Sequence, residues 1–136
     1  MKRLLLIAVA VLAGFSIMTL LPERETYEPA TDLREAMQER MTDMLRIHAA
    51  LEDGRTPEPK PLTPFAGLPH SEHVDDVSEY QDFFVVFESM YDDIYTAEDP
   101  RQQFNMVMSS CIACHQNVCP GPLRSMNRLI LPATLP

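Results

Sequence analysis

A chain of 136 residues has room for one folded domain, and 46% hydrophobic with 23% charged residues excludes disorder along its whole length. Its net charge of −9 argues against nucleic acid as a partner, because phosphate binding needs clustered Lys and Arg. Three Cys are too few to staple a miniprotein, and the odd number asks for another use of the thiols.

Lys2 and Arg3 precede an unbroken apolar or small run over residues 4–21, which stops at Pro22 and Glu23. A positive start before such a run is an export signal, with the basic end left in the cytoplasm. The small residues Ala8, Ala10, Ala13 and Gly14 lie inside the run, and residues 15–21 continue it. Eighteen residues at ~1.5 Å each span about 27 Å, close to the hydrocarbon thickness. Length therefore favours an uncleaved signal anchor over a cleaved signal peptide. Residues 22–136 are expected in the periplasm, held to the inner membrane.

The exported part is strongly asymmetric in charge. Residues 61–100 hold ten acids and no Lys or Arg, whereas 101–136 hold three Arg and no acid. A first helix is expected over about 31–53, capped by Thr31 and ended by Gly54. Leu33, Met37, Met41, Met44, Leu45, His48 and Leu51 recur there at three- and four-residue steps, as one apolar stripe. Residues 54–69 hold five Pro and two Gly, so 54–70 is expected as an ordered loop or strap. A second helix is expected over about 75–96, with Val77, Tyr80, Phe84, Phe87, Tyr91 and Ile94 as its core seam. Asp99 and Pro100 start a third, whose buried face carries Phe104, Val107, Met108, Cys111, Cys114, His115 and Val118. Pro120, Gly121 and Pro122 end it, leaving 119–136 as a tail. No strand pattern competes. The expected fold is an all-α antiparallel helical bundle of three helices, a fourth being absent or supplied by a partner.

Cys111-Ile112-Ala113-Cys114-His115 is a C-x-x-C-H motif, the attachment signature of a c-type haem. Two thiols three residues apart on a helix each reach one vinyl group of the same porphyrin edge. The adjacent imidazole then turns under the iron as proximal ligand. Attachment happens outside the cytoplasm, in agreement with the export signal. A thioredoxin-like redox pair would want a βαβ context. A zinc site built from Cys111, Cys114, His115 and Cys119 would ask one short helix to wrap an ion tetrahedrally. One covalent haem c is the reading these residues favour.

His115 lies sixteen residues, ~24 Å, along its helix from the cap. If the first and third helices pack antiparallel, the early turns of the first oppose the haem. That selects Met37 as distal ligand and Met41, one turn on, as second choice, with Met44 and His48 deeper. His48, His70 and His73 are expected as surface or loop histidines. Met126 is a weaker candidate, because Pro120 and Pro122 constrain its approach. Cys119 is the odd thiol, available either for a disulfide-linked homodimer or as a free, partly buried Cys.

With the haem motif near the C-terminus, the arrangement resembles the class II cytochrome c family, the cytochrome c-prime-like bundles with haem on the last helix. The matching stretches are Phe104-x-x-Val107-x-x-Ser110-Cys111-x-Ala113-Cys114-His115 and the first helix from Met37 to Gly54-x-x-Pro57. Met37 and Met44 have the seven-residue spacing of the low-spin branch, in which the earlier Met ligates iron. The resemblance implies a four-helix bundle, but here 54–69 stands where a helix would be expected, and the tail has no counterpart. It implies an electron carrier, for which the acidic segment from Glu72 to Asp99 would steer a basic redox partner. The alternatives are a five-coordinate gas-binding or sensing haem protein and a haem subunit of a membrane respiratory complex. An enzyme is least supported, since no acid–base pair or nucleophile constellation stands beside the motif.

The exported chain should sediment with membranes and resist extraction by high salt. A mature N-terminus near Phe15 or Pro22 would show instead that the segment is removed.

Overall fold

The computed structural model describes residues 27–69 and 80–132. Helix α1 spans Leu33–Glu52, α2 Gln81–Asp92 with a 3-10 turn at Asp93–Tyr95, α3 Pro100–Val118 and α4 Leu123–Asn127. No strand occurs among the described residues, and the all-α expectation holds. No helix among them is long and apolar enough to cross a membrane; the run 4–21 lies outside them, as do residues 75–79 of the expected second helix.

The ends of α1 follow local chemistry. Its cap is Asp32 rather than Thr31: the Asp32 carboxylate accepts the Glu35 amide at 2.8 Å. Thr31 instead donates its amide and hydroxyl to the Glu35 carboxylate, at 2.9 and 2.7 Å. An ionised acceptor at the positive end of the helix outcompetes a hydroxyl. At the other end Gly54 takes φ +70°, and the amides of Gly54 and Arg55 return to the carbonyls of Leu51 and Ala50. This is a Schellman closure, which needs the left-handed conformation that glycine supplies. α3 starts as expected, with Asp99 accepting the Arg101 and Gln102 amides at 3.0 Å each and Pro100 in the first turn.

Helices α1 and α3 run antiparallel. Arg101, at the start of α3, donates to the Leu51 carbonyl at the end of α1, at 2.8 Å, and the His48 ring packs on Phe104 with centroids 5.9 Å apart. Between α1 and α2 the Pro-rich segment retraces α1 backwards. Arg46 donates to the Glu58 carbonyl at 2.8 Å, Glu39 accepts the Thr63 amide at 3.1 Å, and the Leu33 amide reaches the Pro69 carbonyl at 2.9 Å. The strap then runs opposite to α2, with the amides of Phe65 and Gly67 held by Glu88 and Gln81. The four passes therefore alternate in direction, and an extended strap takes the place of a helix.

Residues 119–132 fold back on α3. Pro122 leads into α4, and Asn105 clasps Leu131 through both its amide and its carbonyl, at 2.9 Å each. Met126, Leu129 and Leu131 are buried as a result.

The buried stripe of α1 differs from the apolar one. Leu45 is half exposed, while Ala36, Arg40, Asp43, Met44, Ile47, Ala50 and Leu51 point inward. Two of these are charged, and Asp43 is the better satisfied. It accepts from Tyr91, from Tyr95 at 3.1 Å and from Arg46 at 2.7 Å. Burial pushes its carboxyl up, but the hydrogen bonds from Arg46 and Tyr91 outweigh this and hold it below the ordinary aspartate range. Burial and the Asp43 charge in turn push the Tyr95 phenol up to about 12. A carboxyl depressed in the folded state adds stability that is present above its unfolded pKa and fades as pH falls through the folded value. Asp43→Asn should cost about 2–3 kcal/mol at neutral pH. It should also flatten the loss of stability below pH ~4, as read by denaturant melts across that range.

Candidate functional site

α1 and α3 carry their chemistry-bearing side chains to a common cleft, which α2, the strap and α4 complete. From α3 come Met108, Cys111, Cys114 and His115; from α1, Met37, Arg40, Met41 and Met44. Phe83, Phe84 and Phe87 line it from α2, Phe65 from the strap and Met126 from α4. The helical repeat explains the sets: 108, 111 and 115 share one face of α3, and 37, 41 and 44 one face of α1. The wall is thioether and aromatic, with Arg40 as its permanently charged member.

The two motif thiols are free and partly buried. Burial, and then the neighbouring Cys114, push the Cys111 thiol up to about 12, and burial raises Cys114 as well. Neither has the depressed pKa that makes a redox-exchange thiol nucleophilic. The His115 ring is oriented by its own helix end: Nδ1 lies 2.9 Å from the Cys119 carbonyl oxygen. A carbonyl only accepts, so Nδ1 carries the proton and Nε2 keeps its lone pair for a metal. Cys119 itself leaves the helix as its C-cap, and its thiol is exposed rather than partly buried. Among the described residues no three His, Cys, Asp or Glu side chains group as a metal cage.

The cleft thus brings together Cys111, Cys114, His115, Met37 and Met41, the residues singled out from the sequence. Met44 is deeper, at 1% exposure, yet still lines the wall. Met126 also reaches it. Pro120 and Pro122 do constrain the chain, but they turn it back onto α3 instead of away. His48 stays clear, against Phe104 and 3.4 Å from Glu52; His70 and His73 lie outside the described residues. Arg40, Phe65 and Phe83 were not foreseen. Phe65 had one visible cue, as a lone aromatic in a proline-rich stretch. Arg40 had none, since a charge on an amphipathic helix reads as solvated.

Compared with protein-family models, curated proteins and solved structures, the chain matches none of them. Its chemistry must be read from its own residues.

The thiols offer a direct check on this geometry. In the full chain prepared without attached cofactor, alkylation at pH 8 should label Cys119 first, Cys114 more slowly and Cys111 last. Mass spectrometry of timed digests gives the order, and Cys111 labelling first would refute the burial described here.

Proposed function

We propose that the chain is an exported single-haem c-type cytochrome that carries electrons, a helical bundle of the class II kind. The observation that carries the reading is the convergence of both motif thiols, the His115 imidazole and the Met37 and Met41 thioethers on one apolar cleft. Cys111 and Cys114 would hold haem c by thioether bonds, His115 Nε2 would be the proximal ligand, and Met37 the distal one, with Met41 as second choice. When bound, the haem supplies one-electron iron chemistry.

The chain's own residues set its character. The Cys119 carbonyl fixes the imidazole tautomer. The thioether and phenyl wall excludes water, and an apolar surround with a thioether ligand raises the reduction potential. Rings packed at 5.5 Å, Phe65 on Phe84 and on Phe87, keep that wall rigid, which limits rearrangement between oxidation states. Acidic side chains stand in solvent on and beside α2, at Asp82, Asp92 and Asp93, where they would steer a basic redox protein at a rate that falls with salt. Residues 4–21 would hold the domain to the inner membrane on its periplasmic side. The exposed Cys119 thiol is available to link a homodimer.

Acid-extracted, denatured wild-type chain should retain haem absorbance, and Cys111→Ser with Cys114→Ser should abolish it. Absence of haem from the wild-type chain defeats the reading. Met37→Ala should remove the weak far-red charge-transfer band of the ferric protein, open the reduced haem to carbon monoxide and lower the potential. Met37 and Met41 are partly buried, and truncation of either should also lower stability, so only the spectrum separates ligand from packing. Loss of the band in Met41→Ala alone moves the ligand one turn along α1. A wild-type protein that is already high-spin and binds carbon monoxide freely would be a gas-binding haem protein.

A further inference from the structure

Helix α2 has a second apolar side that the fold leaves in water. Phe84, Phe87 and Tyr91 are its buried face, and residues 82, 86, 89 and 93 run down the opposite one at helical steps. In the middle of that outer face Val85 and Val86 are 61% and 58% exposed. Among the described residues they are the only exposed large apolar side chains that adjoin in sequence; scattered single ones need no account. Two β-branched residues in succession also lower helix propensity, so neither packing nor propensity accounts for them. Acids close the face at both ends, Asp82 at its start and Asp92 and Asp93 at its finish. All three are exposed and without an ion pair among the described residues. On the flank, partly buried Phe83 lies one turn before Val86 and lines the cleft.

We propose that the outer face of α2 is the docking surface for a basic redox protein, with Val85 and Val86 as its dry centre and the three acids as its rim. The proposal rests on the electron-carrier reading above and gives that exchange a place. An apolar centre with a polar rim is the usual anatomy of a protein interface, and here the charge selects the occupant. Residues 61–100 carry ten acids and no Lys or Arg. A second copy laid on the same face would set acid against acid, and an anionic lipid surface would be repelled as well. A partner with Lys and Arg around an apolar contact meets neither penalty. A helix is about 10 Å across, so one helix thickness separates the docked partner from the cleft, with Phe83 on the flank that joins them. One electron is exchanged there: one protein is oxidised, the other reduced, and no bond is made or broken.

The test mixes the full chain, purified with its cofactor and reduced, with an oxidised basic blue-copper protein, whose visible band bleaches as it accepts the electron. Asp82→Asn with Asp92→Asn and Asp93→Asn should slow the second-order reaction about tenfold at low salt and flatten its decline with added salt. Val85→Ser with Val86→Ser should slow it about threefold at low and at high salt alike, with the haem spectrum as in wild type. The same charge change made elsewhere, Glu52→Gln with Asp53→Asn and Glu58→Gln, should have a clearly smaller effect. If both α2 variants react as fast as wild type, or if the control slows the reaction as much as they do, the docking face is overturned and the cytochrome reading stands. A valine variant that only dissociates a dimer in sedimentation, its rate unchanged, gives the face to a second copy and overturns the proposal too. A chain purified without haem overturns the parent reading and the proposal with it.

Discussion

Asp43 is where the bundle is tied. Its carboxylate, 3% exposed, takes hydrogen bonds from Tyr91 of α2, from Tyr95 in the turn that follows and from one arginine of its own helix. That arginine, Arg46, also holds the strap through Glu58. One buried charge thus fixes the register of α1 against α2 and against the strap. The rest of the site depends on that register. Tyr91 carries the ring on which the Arg40 guanidinium lies, and one turn before it Phe87 begins the aromatic wall of the cleft. A purely apolar seam would pack as densely but tolerate sliding by a turn, whereas three directed bonds to one carboxylate do not.

The strap is a second solution to a general packing demand. A face of α1 and a face of α2 must be covered, and a helix is the usual cover. Five prolines remove five amide donors, so an extended chain can lie in that groove with fewer donors left to satisfy. The amides that remain and bear on the site, Thr63 and Phe65, are taken by Glu39 and Glu88. Thr63 in turn receives the Ala30 amide and meets the Tyr27 hydroxyl, which brings the segment before α1 onto the same seam. Phe65 then enters the core as a large side chain would from a helix.

Much of this was legible in the sequence, for identifiable reasons. The three long helices announce themselves by spacing, and α3 also by its cap and α1 by its closing Gly54; the antiparallel pairing of α1 with α3 is what brings Met37 and Met41 to the wall that carries Cys111, Cys114 and His115. What escaped reading was hidden by residue type. Ala36 and Ala50 are too small to register as core, and Arg40 and Asp43 look like solvent-facing charges, so the true buried stripe of α1 was displaced from the apolar one. Their burial rests on partners far away in sequence, Tyr91 and Tyr95 for Asp43 and the rings of Phe65 and Tyr91 for Arg40, which no local pattern encodes. The short α4 escaped for a different reason. Five residues are too few for a periodic signal, and its place depends on the clasp between Asn105 and Leu131.

The bond from His115 to the Cys119 carbonyl has a bearing on the tail. How strongly an imidazole donates electrons to a metal depends on how fully its other nitrogen is hydrogen-bonded. Here the acceptor is the backbone atom at which the chain turns out of α3, immediately before Pro120-Gly121-Pro122. Beyond that turn, Met126 and Leu131 anchor the segment back on the bundle. The orientation of one peptide group is therefore set by a length of chain that is pinned at both ends. Residues 120–131 behave as a mechanical stay on the imidazole, and altering their tension would turn the ring without touching it.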